Sequence, residues 1–508
     1  MPRSSSLDSQ LRPISSDLDG KEFVPLDALE KAITKPNVAS ELSRTNSFLA
    51  RILPSIARPD VSSRITAQAR KVFAILVLLD RATAIQGLLD EGLTDEHLPL
   101  SRSPDHEALV SWDGVEFPFT GWKPASVNLF VKQQWPFLAP ILDTTGRLIN
   151  VNQESPLPFT KTDIIGSGAA GVVYQATVHP AQQRGFEAET ARLQVAVKQF
   201  HRMDDFTTED KILQQIKTLK DRHIIRHLVS IERGKKGYIV FPWADRGNLQ
   251  EFWEATEPET TWECALWSMK QMLGLAKALH LLHASFQCRH GDLKPINILC
   301  ITDGGKPVLK IADFGISRIH DAPTMYRKSA TTSLFLTPSY QAPEVEFEDA
   351  DKKNPQPRSR RYDIWSLGCV FLEFSIWLLH GPKAIEGFAR TRGRYGTSST
   401  NSSVPLYEVT DKAAKVAIVH QLVSWTIERL QNDTRCKGDT ALATLLSLIK
   451  DQMLQPKVED RAWAEGVGKQ LEEIVRKAEN HEPYLFRSCD GLSIPLLNFD
   501  EFQSTMNS

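Results

Sequence analysis

The sequence predicts an α+β protein in which short strands precede long helices, with a small all-helical domain ahead of both. Three observations carry this. Residues 23–105 place apolar side chains at mixed three- and four-residue spacing, β-branched runs alternate from residue 159, and a helical period returns from Trp262. A chain of 508 residues also exceeds what one ordinary core organises.

Residues 1–22 are polar and Ser-rich and read as a disordered tail. The helical domain, 23–105, rests on residues 65–80, which lack Gly and Pro, and on Leu78, Leu79, Ile85, Leu88 and Leu89 after them. Residues 106–158 are richer in Pro, Trp and Phe and read as an irregular connector packed on its neighbours. A strand-rich part, about 159–243, follows. Leu193, Val195 and Val197 there alternate with Gln194, Ala196 and Lys198, the period of a strand.

The helical part, about 244–480, opens with a capping box at Thr260 and Glu263. Behind it Trp262, Ala265, Leu266, Met269, Leu273, Ala276 and Leu279 share one broad helical face. Residues 390–404 read as a flexible insertion, and 481–508 as a tail without strong helical pattern.

Composition excludes several classes. A formal charge of -2, with 24% charged residues, gives no global reason to expect nucleic acid as a partner. The six cysteines show no CxxC pair or zinc spacing, which predicts buried free thiols in a reducing compartment. The N-terminus has no apolar segment of a secretory signal, and the longest apolar runs fall short of the ~20 residues of a membrane span. The expectation is a cytoplasmic protein with no membrane span, a nuclear place staying open.

Gly166, Gly168, Gly171 and Val173 form G-x-G-x-x-G-x-V, with Ile165 before it and Ser167 inside it. Glycines let a backbone approach a phosphate where a Cβ would collide, although a plain Gly-rich hairpin turn has the same composition. The dinucleotide-binding version needs a helix after the third glycine; here Val172, Val173 and Tyr174 favour strand-turn-strand. Lys198 shares a strand face with Ala196, so its ammonium could reach phosphates across an apolar adenine slot, although a strand lysine by itself is usually a solvated edge charge. Glu209 could pin that lysine; Asp210 competes, but Ile212, Leu213 and Ile216 put Glu209 beside the buried face.

A third cluster is denser. His290, Gly291, Asp292, Leu293, Lys294 and Asn297 are followed by Asp313-Phe314-Gly315, then by Thr337 to Glu344, then by Asp363 to Gly368. In this order and spacing the chain resembles the eukaryotic protein kinase family over about residues 159–480. The resemblance implies a bilobal fold, with a β-rich small lobe and a helical large lobe. It also implies ATP and Mg²⁺ as cofactors, and protein Ser/Thr hydroxyls as acceptors in signalling.

Position by position, it implies that Asp292 accepts the substrate proton and Lys294 neutralises the transferring phosphoryl group. Asn297 and Asp313 would hold Mg²⁺, and Lys198, oriented by Glu209, would clamp the α/β-phosphates. Phe241 would be the gatekeeper, the Trp243 and Ala244 backbone would meet adenine, and Leu299 joins the nucleotide contacts. Leu213, His290 and Phe314 match members of an apolar spine, and Glu344 should pair with Arg461. The wording around Phe241 to Leu249, with the helical region ahead of it, is similar to kinases of filamentous fungi.

The chain departs from the family at Gly291, where an arginine is usual, and at Pro242, where an acidic residue is common. The missing arginine argues against a required loop phosphorylation, although Thr324, Tyr326, Ser329, Thr331, Thr332 and Ser333 offer autophosphorylation sites. Arg318, Arg327 and Lys328 could partner such a phosphate locally. Control would then fall to the N-terminal helical domain or its partners. The alternative reading is a pseudokinase or adaptor scaffold that binds nucleotide and acts through that domain. It predicts loss of Lys198, Asp292, Asn297 or Asp313, and all four are present.

Overall fold

The computed structural model describes residues 7–45, 59–104, 108–168, 170–186, 193–259, 261–287, 289–314, 338–347, 359–395, 404–486 and 497–506. The chain divides into two compact units, Met1–Thr207 with His227–Trp243, and Thr208–Arg226 with Ala244–Ser508.

The first unit begins with helix α1 (Leu7–Gln10) and a small hairpin of β1 (Ile14–Ser15) and β2 (Glu22–Phe23). Helices α2 (Leu26–Ala32), α3 (Lys35–Thr45), α4 (Pro59–Gln68), α5 (Arg70–Leu78) and α6 (Ile85–Asp90) follow. Three short strands, β3 (Ser101–Arg102), β4 (Leu109–Val110) and β5 (Glu116–Phe117), form an antiparallel sheet, and α7 (Pro124–Gln133) closes this part. One apolar core, including Leu7, Ile65, Phe73, Leu76, Leu88 and Phe130, joins these elements. Helix α5 is apolar almost all round and fully buried from Val72 to Val77. Its first-turn amides at Lys71 and Val72 both donate to the Asp95 carboxylate, at 3.0 Å each.

A six-stranded sheet completes the unit. It comprises β6 (Arg147–Val151), β7 (Phe159–Ser167), β8 (Gly171–Val178), β9 (Leu193–Phe200), β10 (Val229–Arg233) and β11 (Lys236–Pro242), in the order β6-β10-β11-β9-β8-β7. Only the β6–β10 pair is parallel. Val195, Val197, Val229, Ile231 and Val240 fill the core under one face. Helix α8 (Met203–Ile216) runs across the boundary between the units.

The second unit is mainly helical. A reciprocal cap between Asn248 and Glu251 starts α9 (Leu249–Ala255). The long α10 (Trp262–Phe286) lies beside α15 (Ala464–Asn480), and Lys277–Glu472 and Lys270–Glu479 ion pairs cross between them. Between these come the hairpin β12 (Ile298–Asp303) and β13 (Lys306–Ile311), then α11 (Tyr362–His380) and α12 (Pro382–Tyr395). The hairpin β14 (Tyr407–Asp411) and β15 (Val416–Val419), α13 (Gln421–Gln431) and α14 (Ala441–Leu448) complete the series; α16 (Phe499–Met506) comes last. Among the described residues α11 alone is long and apolar enough to cross a membrane, and it is buried inside its unit from Tyr362 to Leu379.

Several expectations are corrected. Residues 7–22 are ordered: Leu7 and Leu11 enter the core, and polar side chains expected in water are bonded to the sheet. The N-terminal domain is not all-helical, since β1 to β5 are too short for a period-2 signal, and its core runs past residue 105 to Phe137. The connector supplies β6, an integral strand of the sheet. The N-cap of α10 is Thr261, whose Oγ1 accepts from Cys264 N at 3.3 Å, so Glu263 is not the third residue of a capping box; Thr260 lies outside the described residues. Residues 390–395 continue α12, where Arg392 is buried 3.8 Å from Glu373; 396–403 lie outside the described residues. The tail carries α16, whose Phe499 and Phe502 pack on Trp425. Eight residues are too few for a clear period, and those aromatic contacts hold the helix.

Candidate active site

Within the first unit, the register of the sheet gathers the expected nucleotide residues. Val173 lies opposite Lys198, and Ala196 opposite Phe241. Directly opposed residues share a sheet face, so Val173, Lys198, Ala196 and Phe241 all lie on the face away from the Val195–Val197 core. The Lys198 ammonium sits over the Phe200 ring, 5.1 Å from its centroid.

The glycines of the β7–β8 turn separate into two roles. A Cβ at Gly166 or Gly168 would meet nothing within 4 Å, while one at Gly171 would lie 2.0 Å from the Gln199 carbonyl oxygen. Gly171 is therefore demanded by β9, and the first two leave open space for a ligand. Gly168 N donates to Gly171 O at 2.9 Å and closes the turn. Ile165 and Ser167 are exposed at its rim. Trp243 is the last residue of this unit.

In the second unit, Glu209 is buried in the middle of α8 with Ile212, Leu213 and Ile216. Asp210 is also buried and accepts from Gln214 Nε2 at 3.1 Å. Ala244 O accepts from Gly247 N, and Leu299 on β12 pairs with Asn248.

The loop from His290 to Asn297 carries the densest polar geometry. Lys294 Nζ lies 2.8 Å from Asp292 Oδ2. Asn297 Nδ2 donates to both Asp292 O at 2.8 Å and Asp292 Oδ2 at 3.0 Å. Burial pushes the Asp292 carboxyl above its ordinary range, and the Lys294 ammonium works against that rise. His290 Nδ1 accepts from Asp292 N and its Nε2 lies 2.9 Å from Ala312 O, a geometry that calls for a ring proton on Nε2.

Asp363, buried at the start of α11, holds this loop. Its carboxylate accepts from His290 N at 2.8 Å, from Gly291 N at 2.9 Å and from His283 Nε2 at 2.8 Å. Burial acts to raise its pKa, but the His283 hydrogen bond and nearby positive charge outweigh that and hold it below the ordinary value. Gly291 takes φ +86°, a conformation unfavourable for a side chain. Neither Asp363, which has no role legible in the sequence, nor His283, whose only signal is a histidine inside the apolar run of α10, stands out before the fold is seen.

Asp313 takes a left-handed φ of +61° between the buried Ala312 and Phe314, and the Phe314 ring meets His290 edge-on at 5.3 Å. Gly315, the six hydroxyl candidates, Arg318, Arg327, Lys328 and Thr337 lie outside the described residues. Among the described residues no three His, Cys, Asp or Glu side chains converge as a metal cage. The Asp313 carboxylate and the Asn297 amide oxygen still fit Mg²⁺, which takes one or two carboxylates and fills its shell with water and phosphate oxygens. Asn297 spends its Nδ2 on Asp292, leaving Oδ1 for a cation.

Residues 159–385 match the family model for the protein kinase domain. Similar curated proteins include the serine/threonine-protein kinase TIO of Arabidopsis thaliana, 30% identical over 216 residues, 42% of this chain and 14% of that protein. A receptor-like protein kinase of Ipomoea nil is 29% identical over 250 residues, 47% of this chain and 20% of that protein. The cyclin-dependent kinase-like 1 of Caenorhabditis elegans is 29% identical over 213 residues, 41% of this chain and 52% of that protein. The chain thus spans between a seventh and about half of these relatives. These matches carry no fungal resemblance. Protein kinases generally use ATP and Mg²⁺ and act on protein substrates. By the family-model match, residues 159–385 of this chain carry a protein kinase domain.

Proposed function

We propose that this chain is an active protein serine/threonine kinase that transfers the ATP γ-phosphoryl group to protein hydroxyls in intracellular signalling. The observation that carries the reading is the Lys294–Asp292–Asn297 constellation, held by bonds of 2.8 and 3.0 Å. Asp292 would receive the hydroxyl proton, and Lys294, beside it, would face the charge that develops on the transferred group. A lysine at that position favours serine or threonine acceptors.

Asn297 Oδ1 and the Asp313 carboxylate would hold Mg²⁺, whose contribution is to neutralise phosphate charge. Lys198 would hold the α/β-phosphates, with Glu209 as its carboxylate partner. Ile165, Gly166, Ser167, Gly168, Gly171 and Val173 would cover the nucleotide, and Ala196, Phe241, Trp243, Ala244 and Leu299 would frame the base. Catalytic-domain limits near 159 and 480, a cytoplasmic place and autophosphorylation belong to the same reading. Free thiols at Cys264, Cys300, Cys369 and Cys436 support a reducing compartment.

The test is transfer of radiolabelled phosphate from ATP–Mg²⁺ to a generic Ser/Thr substrate and to the protein itself. Wild type runs beside Asp313→Ala and Lys198→Met. Transfer lost in both variants is the expected result. Thermal stabilisation by ATP without transfer would favour the nucleotide-binding scaffold, and absence of both would remove the proposal.

A further inference from the structure

The sheet unit carries a second polar site, lined by none of the residues assigned to catalysis. A cavity of about 210 Å³ is lined by Lys21, Gln153, Arg233, Lys235 and Lys236. Its walls come from three places in the chain: the β1–β2 hairpin, the loop after β6 and the β10–β11 turn. Four of the five lining side chains are cations. Their ion-pair partners are two carboxylates, Asp19 on Arg233 and Glu154 on Lys21 at 2.9 Å. Two positive charges therefore stand in excess, and Lys235 and Lys236 are exposed with no carboxylate partner among the described residues.

The site is built rather than accidental. Arg233 is buried, with Nη1 on Asp19 and Nε donating to Gln153 O at 3.1 Å, so its guanidinium is fixed in place. Lys21 Nζ also donates to Gln153 O, at 2.7 Å. Gly234 packs so closely that a Cβ there would lie 3.2 Å from Gln153 Cβ. The concave wall is thus rigid while the two lysines at its mouth are free to move. Fixed guanidinium geometry with mobile ammonium groups suits a compact tetrahedral anion, since cations on a concave surface focus their field on one point.

We infer that this cavity binds a phosphoryl dianion, either free or carried on a phosphorylated side chain. Binding there would tie the N-terminal hairpin to the β10–β11 turn through one shared ligand. Lys235 and Lys236 would donate to its oxygens, and Lys21 would turn toward it from Glu154.

The experiment titrates the full chain with inorganic phosphate, with a phosphoserine peptide and with the same peptide unphosphorylated, without nucleotide, by calorimetry and thermal melting. Wild type runs beside Lys235→Ser/Lys236→Ser and beside Glu154→Gln. Both variants alter exposed side chains, so their ligand-free melting should match wild type. Expected are binding of at least one phosphoryl ligand, about tenfold weakening per lysine removed, and tightening in Glu154→Gln. Affinity should fall as salt rises. The tighter of the two phosphoryl ligands identifies the source. Binding that survives the double lysine change would lie elsewhere and overturn the inference, as would no binding in wild type or equal binding of the unphosphorylated peptide.

Discussion

Arg461 grips Glu344 through two parallel hydrogen bonds, Nη1 to Oε1 at 2.9 Å and Nη2 to Oε2 at 2.7 Å, with the arginine side chain wholly buried. Its Nε donates to Gln455 O and its Nη2 also to Pro456 O, so the guanidinium joins two consecutive backbone carbonyls to a carboxylate. Arg461→Met should destabilise the helical unit by ~3–5 kcal/mol, because the half-buried carboxylate loses its partner and the Gln455 and Pro456 carbonyls lose their donor. Arg461→Lys should recover little, since an ammonium cannot make the fork. Urea unfolding of the purified variants measures both.

The acid limb of activity should follow Asp292. Burial places this carboxyl above the ordinary range, with Lys294 opposing that shift. Removing the ammonium in Lys294→Met should move the acid limb of kcat/KM to higher pH, besides lowering the rate at neutral pH. A limb that stays in place would mean that Asp292 is not the group titrated.

Two ion pairs join the N-terminal hairpin to the sheet, and they should differ sharply in worth. Asp19–Arg233 is buried, and Asp19→Asn should cost ~3–5 kcal/mol by leaving the guanidinium uncompensated. Lys21–Glu154 is solvent-exposed at the glutamate, and Glu154→Gln should cost ~0–1 kcal/mol. Comparing the two melting curves tests whether the hairpin is integral to the sheet.

Gly291 holds φ +86° while its amide donates to Asp363. Gly291→Ala should destabilise the helical unit by ~1–2 kcal/mol, because a Cβ opposes that conformation. The same strain should follow if the arginine usual in the family is installed there, so Gly291→Arg is not expected to behave as a harmless reversion.

Acidification should weaken the fold through His223. Burial holds its pKa below 6.5, and its Nδ1 lies 2.8 Å from Leu309 O. The unfolded chain then takes up a proton that the folded one refuses. Its contribution is full above the unfolded value and declines as pH falls from there toward the folded value. His223→Gln should flatten the stability profile between about pH 7 and 5, as read by urea unfolding at each pH.

The chemistry was more legible than the scaffold that aims it. Asp292, Lys294 and Asn297 lie within six consecutive positions, so local chain geometry brings them together, and the resemblance to the kinase family marks them out. Glu344 and Arg461 were also readable as a pair, although the chain separates them widely. Asp363 and His283 were not readable as supports, because a buried carboxylate holding two amides has no periodic signature. Gly171 looked like a phosphate contact, and only the Gln199 carbonyl reveals its steric role. The N-terminal strands escaped notice because two residues cannot establish an alternation. Asp17 shows the same blindness: it reads as solvated, yet its carboxylate takes both Thr162 N and Thr162 Oγ1 on β7, at 2.6 and 2.9 Å.

Strand β6 has a practical corollary for anyone isolating the catalytic part. The family match begins at residue 159, but β10 is covered on one side by residues 147–151, in register from Val229 opposite Arg147 to Arg233 opposite Val151. A fragment cut at 159 would strip that cover and bare a row of amide and carbonyl groups able to template another chain. It should aggregate on concentration where the intact chain does not. The smallest piece that folds cleanly is therefore longer at its front than the smallest piece recognisable by homology.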